Sequence, residues 1–261
     1  MAAQSLYRRY RPQRFSELKG QEHIVRALKN SIVNSREGHA YLFSGPRGTG
    51  KTTTARILAK VLNCDNPVDG EPCCTCPSCV AVQAGNSFDV IELDAASNRG
   101  IAEIKDVIES TLVGSPGRHK VFILDEVHML TEHADAALLK TLEEPPEHVV
   151  FVLATTDPQR VLPTILSRCQ RFDFRRIPLD ALERHLGWIA EQEQIGITAE
   201  ALHVVAQRAQ GGLRDAESLL DQLSLLPPPV EPMAVWDLLG AVPEQELLQL
   251  ASALAASEPL G

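Results

Sequence analysis

The stretch that decides the fold of this chain is Gly45-Pro46-Arg47-Gly48-Thr49-Gly50-Lys51-Thr52. It satisfies the pattern G-x-x-x-x-G-K-[ST], in which glycines let the backbone curl until its N–H groups face a phosphate. An apolar run precedes it at 39–44 and a helical pattern follows at 51–63, as such a loop requires. We therefore expect Lys51 to reach the β- and γ-phosphates and the Thr52 hydroxyl to bind Mg²⁺. A glycine-rich turn without a ligand is the alternative, which the flanking strand and helix disfavour.

A second apolar run, at 121–124, ends in Asp125 and Glu126. Beside a phosphate loop, Asp125 would lie near the metal and Glu126 would polarise the attacking water as general base. Alone, such a run marks only a strand end, but together with the loop it indicates a nucleotide site. The residues predicted to bind the nucleotide are those of the loop and the one after it: Gly45, Pro46, Arg47, Gly48, Thr49, Gly50, Lys51, Thr52 and Thr53.

Strand and helix patterns alternate in the first 177 residues, which predicts a doubly wound α/β domain. The strands are short and mostly continuously apolar, as in a parallel sheet covered on both faces. They are predicted at 39–44, 89–93, 120–125, 149–155 and 171–174. The helices are predicted at 21–35, 51–63, 101–112, 134–142 and 164–168. The fold class is therefore α/β with a five-stranded parallel sheet.

The pattern changes after Ile177-Pro178, where no further strand is indicated. Amphipathic helices are predicted at 179–193, 198–210 and 213–225, separated by glycines. We therefore expect an α/β domain at 1–177 and a small all-α domain at 178–242. A further apolar helix at 243–255 predicts that residues 243–261 are the start of a truncated C-terminal domain.

Composition excludes several classes of protein. Of the 261 residues, 44% are hydrophobic and 23% charged, which disfavours a disordered or a collagen-like chain. The net charge of −9 disfavours a protein that coats nucleic acid with its whole surface, although a local basic face remains possible. No apolar run approaches the roughly 20 residues of a membrane span, and the Arg-rich start is unlike a signal peptide. The expectation is a soluble cytoplasmic protein with no membrane partner.

Five of the six cysteines fall between positions 64 and 79. The spacing Cys73-x-x-Cys76-x-x-Cys79, with Cys64 before it, offers four thiolates for a tetrahedral Zn²⁺ ion in a module at about 64–79. Cys74 directly follows Cys73 and is expected to point elsewhere. An iron–sulfur cluster is the alternative, because its ligand runs also use this spacing, but no proline follows the last cysteine. Four protein ligands would leave no open position, which predicts a structural ion.

Several stretches together resemble the gamma/tau ATPase subunit family of bacterial DNA polymerase III clamp loaders, a branch of the AAA+ proteins. The resemblance covers essentially the whole chain and adds the zinc module and an all-α lid domain to the expected fold. The stretches are Arg11-Pro12-x-x-Phe15, Gly20-Gln21-Glu22-His23, His39-Ala40-Tyr41-Leu42-Phe43, Leu142-Glu143-Glu144-Pro145-Pro146, Ala154-Thr155-Thr156, Ser167-Arg168-Cys169 and Leu213-Arg214-Asp215.

The resemblance implies roles for residues that isolated patterns would not single out. Thr155 matches the residue that senses the γ-phosphate, and Arg214 matches a lid arginine that contacts the nucleotide. Arg168 matches an arginine that reaches a neighbouring subunit's site, while Arg11 and Pro12 match a segment near the adenine. Without the resemblance, the simpler interpretations are a capped strand end, a surface ion pair and a cation at a helix C-terminus for Thr155, Arg214 and Arg168, respectively.

What the resemblance implies as function is an ATP-driven clamp-loader motor, with ATP, Mg²⁺ and Zn²⁺ as ligands. Its implied partners are the delta and delta prime subunits, further gamma/tau copies, the sliding clamp and primer–template DNA contacted through phosphates. Arg99, just before the helix at 101–112, is a candidate for a DNA contact. Two alternatives remain open, namely a scaffold subunit with a degenerate nucleotide site and a branch-migration helicase motor. An intact loop and acidic pair disfavour the first, and the cysteine cluster disfavours the second.

Overall fold

Five parallel strands form one sheet in the computed structural model, which describes residues 4–98, 100–111, 114, 117–242, 246–249 and 251–252. The order across the sheet is β2-β3-β4-β1-β5. The strands are β1 (Ala40–Ser44), β2 (Val90–Asp94), β3 (Lys120–Asp125), β4 (Val149–Thr155) and β5 (Gln170–Asp173). All neighbouring strands pair in parallel. The predicted fold class is confirmed, with β2 and β5 each displaced by one residue from the predicted bounds.

Helices cover both faces of this sheet, as its apolar strands require. On one face, α2 (Glu22–Val33) and α3 (Lys51–Leu62) pack against strand residues such as Tyr41, Ile123 and Val152. On the other face lie α5 (Ile101–Thr111), α6 (Glu132–Glu143) and α7 (Pro163–Leu166), which cover alternate residues that include Leu42, Phe122 and Leu153. Consecutive side chains of each strand thus enter opposite cores.

The carboxyl ends of β1, β3 and β4 lie next to one another, because β4 is between β3 and β1. The register pairs Ser44 with Thr155 and Leu124 with Leu153, so Asp125 follows its strand beside the end of β4. In open α/β sheets ligands bind at this edge. The strand order therefore assembles the predicted nucleotide residues, which are far apart in the sequence.

The chain divides into two units, residues 11–177 and a second unit that combines residues 4–10 with the chain after 177. The second unit contains α1 (Leu6–Arg9), α8 (Leu179–Gln192), α9 (Ala199–Arg208), α10 (Leu213–Leu223) and α11 (Pro232–Leu239). The sequence had grouped the first ten residues with the α/β domain. They join the helices instead because Leu6 is buried, and the Tyr10 ring lies edge-on to Trp188 at 5.3 Å between centroids.

Three α-helices in the described part of the chain were not predicted. These are α1, α11 and α4 (Pro77–Ala84), which begins directly after Cys76 and contains Cys79. The helix α4 carries signals that could have revealed it, with proline at its first position and Gly85 in a left-handed conformation at its end.

Two predictions fall on positions that the structure does not describe. Arg99 lies outside the described residues, and most of the predicted helix at 243–255 does as well. Among the residues that are described, no helix has both the length and the apolar character to cross a membrane.

Candidate functional site

The predicted phosphate loop joins β1 to α3 at the carboxyl edge of the sheet. Gly45 has a φ of 145°, and a Cβ built there would lie 2.5 Å from the backbone oxygen of Phe174. Gly50 has a φ of 100° and directly precedes the first turn of α3. Both positions therefore need glycine, and the chain enters the helix with its first backbone N–H groups unpaired in the helix. Such a turn is suited to an anion.

Lys51 lies inside this loop. Its Nζ donates to the backbone oxygens of Gly45 and Pro46 at 2.8 and 2.9 Å, and only 6% of the residue is exposed. Burial lowers the pKa of Lys51, while the negative charges of Glu126 and Asp125 act in the opposite direction. The ammonium group is thus held in place by the loop backbone and faced by two acids. This arrangement can neutralise the charge of a phosphate placed against the loop.

The Asp125 carboxylate connects β3 to the first turn of α3. Its Oδ2 accepts a hydrogen bond from the Thr52 hydroxyl at 2.6 Å, and its Oδ1 accepts one from the backbone N–H of Glu126 at 2.9 Å. A carboxylate and a hydroxyl oxygen in contact are the ligand types that Mg²⁺ takes beside phosphates. The pair Thr52 and Asp125 could therefore hold a magnesium ion together.

Glu126 turns sharply out of the strand, with a left-handed φ of 51°. Its Oε2 accepts hydrogen bonds from the backbone N–H and the hydroxyl of Thr156, at 3.2 and 2.8 Å. The same oxygen lies 3.4 Å from Nδ1 of His128. Thr156 thus fixes the carboxylate that the sequence predicts as a general base, and His128 lies beside it. Neither residue was predicted from the sequence to have a role, although Thr156 belongs to the stretch Ala154-Thr155-Thr156 that carries the family resemblance.

Thr155 is the last residue of β4 and its side chain is fully buried. Its backbone oxygen accepts from the N–H of Gly45 at 3.2 Å, which fastens the strand to the phosphate loop. Its hydroxyl lies 2.9 Å from His128 Nδ1 and accepts from the backbone N–H of Asp157 at 3.0 Å. The bond from Asp157 is the capped strand end that was the simpler interpretation. The contact with His128 connects Thr155 to the residues beside the acidic pair.

The remaining residues of the first unit are placed less centrally. Arg11 Nε donates to the Thr53 hydroxyl at 3.1 Å, so it lies beside the start of α3. Arg47 is exposed, Pro12 is half-buried, and the buried Thr49 hydroxyl donates to the Pro46 oxygen at 2.8 Å.

The two predicted arginines with remote roles make local contacts. The Arg168 guanidinium donates to the Thr164 backbone oxygen at 2.7 Å and to Glu143 at 2.5 Å. The first contact is the cation at a helix C-terminus that was the simpler interpretation. In the helical unit, Arg214 stands over the ring of Tyr7 at 4.9 Å from the centroid, where a surface ion pair was the simpler interpretation.

The four predicted zinc ligands come together in the structure. The sulfur atoms of Cys64, Cys73, Cys76 and Cys79 all lie within 4.8 Å of one another, with Cys73 and Cys79 4.0 Å apart. A single Zn²⁺ with bonds of about 2.3 Å would place tetrahedral sulfurs about 3.8 Å apart. The donor set and its spacing therefore fit one tetrahedral ion. The Cys74 sulfur instead lies 3.5 Å from the Gln13 backbone oxygen, as the sequence predicted.

Backbone N–H groups are directed at these sulfurs. The N–H groups of Thr75 and Cys76 donate to Cys73 at 3.5 and 3.3 Å, and that of Cys73 donates to Cys64 at 3.3 Å. The bonds from Thr75 and Cys76 lower the pKa of Cys73 to about 5, whereas burial raises the pKa of Cys79. A thiolate is the metal-binding form of cysteine. The cluster is thus built for a cation that takes the place of the thiol protons.

Comparison with known proteins agrees with this geometry. A family model described as "DNA polymerase III, delta subunit" matches residues 20–178. A second model, described as "DNA polymerase III clamp loader subunit, ATPase lid domain", matches residues 181–223. In solved structures, the RuvB Holliday junction branch migration motor of Thermotoga maritima has a TM-score of 0.63 over 97% of this chain and 82% of its own. At 19% identity this likeness shows the fold alone.

Curated relatives are closer in sequence. The chain is 52% identical to DNA polymerase III subunit tau of Bacillus subtilis over 85% of its length, and spans 40% of that relative. It is 44% identical to DNA polymerase III subunit gamma of Buchnera aphidicola from Acyrthosiphon pisum, over 97% of this chain and 71% of the relative. Residues of both units thus match one family, and the chain belongs to the gamma/tau family of DNA polymerase III clamp-loader subunits.

Proposed function

We propose that this chain is the ATPase motor subunit of a bacterial DNA polymerase III clamp loader. In this proposal it binds and hydrolyses ATP to load a sliding clamp onto primed DNA. The observation that carries it is the meeting of Lys51, Thr52, Asp125 and Glu126 at one edge of the sheet. A degenerate site in a scaffold subunit would lack part of this set, and the names of the relatives disfavour a branch-migration motor.

Each side chain of the site has its own proposed role in ATP binding and hydrolysis. Lys51 binds the β- and γ-phosphates, and the loop N–H groups with Thr53 and Arg11 support the nucleotide from the α3 side. Thr52 and Asp125 hold Mg²⁺, which when bound offsets charge on the phosphates. The Glu126 carboxylate takes a proton from the water whose oxygen attacks the γ-phosphorus, and the leaving group is ADP.

The residues with remote roles complete the proposal. Arg168 serves the ATP of a neighbouring subunit, and Arg214 of the lid contacts the nucleotide. The resemblance matches Thr155 with the residue that senses the γ-phosphate. Because its side chain is fully buried, we assign it an indirect role, argued below.

Zn²⁺ is the proposed ion of the cysteine cluster, and its role is structural. Because all four sulfurs come from the chain, no coordination position is left for a substrate. The proposed partners are delta, delta prime, further gamma/tau copies, the sliding clamp and primer–template DNA.

Lys51→Ala tests the nucleotide site. Calorimetry with Mg²⁺ and ATP should show binding by the parent and a loss of at least about 100-fold in affinity for the variant, since a buried charge-assisted contact is removed. Lys105→Ala, an exposed lysine on α5, is the matched control and should bind like the parent. Equal affinities for all three proteins would reject the phosphate-loop assignment.

A further inference from the structure

The side chains of Glu126, His128 and Thr155 meet where β3 and β4 end, the first two from the turn that follows β3 and the third from the last position of β4. His128 Nδ1 lies 2.9 Å from the Thr155 hydroxyl and 3.4 Å from the Glu126 carboxylate. His128 is nearly buried, with 10% of its side chain exposed, and Thr155 has no exposed surface. The Thr155 hydroxyl therefore contacts the histidine directly and has no surface at which a nucleotide could touch it.

Both contacts are made by Nδ1 of His128, at hydrogen-bond distance from Thr155 and at a longer distance from Glu126. A carboxylate only accepts, so the nitrogen that faces Glu126 is best placed when it carries a proton. A protonated Nδ1 also donates to Thr155, whose oxygen already accepts from the Asp157 backbone N–H. In that tautomer, Nδ1–H of His128 donates to Thr155 and lies 3.4 Å from the Glu126 carboxylate.

We propose that Thr155 acts on ATP hydrolysis through His128, which holds the Glu126 carboxylate in the orientation of a general base. This inference rests on the proposed function and assigns positioning roles to His128 and Thr155. Thr156 holds the same oxygen, Glu126 Oε2, from the other side with two hydrogen bonds. Loss of the histidine donor would leave the carboxylate bound on one side only, and a small misplacement of a reacting group costs rate more than affinity.

A double-mutant cycle tests the order of action. The variants are Thr155→Val, which removes the hydroxyl at constant shape, and His128→Leu, which removes the ring donor. Each should lower the hydrolysis rate constant kcat in the assembled loader by about 10-fold or more, with the Kd for ATP and for ADP within about two-fold of the parent. The double variant should be no slower than the slower single variant, because both changes break one chain of contacts.

Conservative replacements distinguish a role in positioning the Glu126 carboxylate from damage to the fold. His128→Asn places an amide N–H where Nδ1 lies and should recover most of the rate, while His128→Leu, of the same size, should not. Thr155→Ser keeps the hydroxyl and should likewise recover. His133→Leu, an exposed histidine on α6, is the surface control. Thermal unfolding of each variant identifies any that fail to fold. In that case the rates of His128→Asn and Thr155→Ser decide between a positioning role and a loss of structure.

Several outcomes would overturn the inference. Losses in kcat that multiply in the double variant would mean that Thr155 and His128 act independently. A selective loss of affinity for ATP over ADP in Thr155→Val would mean that Thr155 contacts the γ-phosphate itself. Equal kcat values for His128→Asn and His128→Leu would show that a hydrogen-bond donor at Nδ1 of His128 is not needed. If ATP hydrolysis by the parent is the same with and without Lys51, the proposed function itself is wrong. That result is distinct from any result for the His128 and Thr155 variants.

Discussion

The Arg168 guanidinium lies 2.5 Å from the Glu143 carboxylate, so a residue two positions beyond α7 is tied to the end of α6. A further bond to the Thr164 oxygen fixes the same group from its own helix. Both side chains are partly exposed, at 33% and 45%, so the pair contributes little to the stability of the fold. Its consequence is orientation, because the arginine is held at the surface of the α/β unit.

Arg168→Ala should depress hydrolysis at the neighbouring subunit's site and spare ATP binding at its own. Arginines that act in this way are worth about 10³–10⁵-fold in GTPases, because they stabilise charge that develops on the transferred phosphoryl group. The measurement mixes Arg168→Ala and Glu126→Gln subunits in a defined assembly and assigns the lost activity to individual sites. Arg160→Ala, also exposed, is the control. Loss at the site of the subunit that carries the change would show that the arginine acts in cis.

Glu126→Gln should keep ATP bound and slow its hydrolysis by about 10²-fold or more, since a general base contributes about 10²–10⁴-fold. The amide oxygen can still accept the two bonds from Thr156, so the local fold should survive. Single-turnover hydrolysis and ATP titration of the same preparation measure the two effects separately. A variant that hydrolyses at the parental rate would remove Glu126 from the role of base.

The cysteine cluster predicts one zinc ion per chain, bound by four sulfurs. Cys73→Ser should lose the ion and destabilise the surrounding residues, because a structural zinc site supplies folding free energy. Cys74→Ser is the matched control and should retain the ion, since its sulfur lies against the Gln13 backbone oxygen. Elemental analysis with thermal unfolding checks both variants. Iron and a brown colour in the purified protein would instead identify an iron–sulfur cluster.

His119, which has His39 and His148 nearby, predicts that the stability of the fold decreases in acid. Burial lowers the pKa of His119 below its ordinary 6.5; the charge of Glu37 opposes this shift, whereas Arg118, His39 and His148 add to it. The unfolded chain therefore binds a proton more readily than the folded chain. Stability from this group is present above pH 6.5 and is lost as the pH falls through and below that value.

His119→Asn should reduce this loss. The urea midpoint of the variant should fall less between pH 7.5 and 5.5 than that of the parent, because the titrating ring is gone. His133→Asn is the control on the exposed surface of α6 and should follow the parent. Identical pH dependence in all three proteins would assign the acid sensitivity to other groups.

Local patterns in the sequence were sufficient for the elements of the sheet and for the residues that the structure brings together at the two candidate sites. Most of the strands were predicted from continuous apolar runs, which are typical of parallel strands covered on both faces. The phosphate loop and the cysteine spacing are likewise contiguous, so the geometry that each needs is built within one segment. Cys74 could be excluded as a ligand for the same reason, because it directly follows Cys73.

The tertiary structure alone decided how distant segments act on one another. The contact of Thr155 with His128 depends on β3 and β4 being neighbours in register, which no spacing in the sequence expresses. The grouping of residues 4–10 with the helices likewise depends on the buried side chain of Leu6 and on Tyr10 against Trp188. The sequence by itself determined which residues supply the charged side chains and the potential metal ligands of the two candidate sites. Their mutual orientation required the strand order, because hydrogen bonds act over a few ångströms between residues that are far apart along the chain.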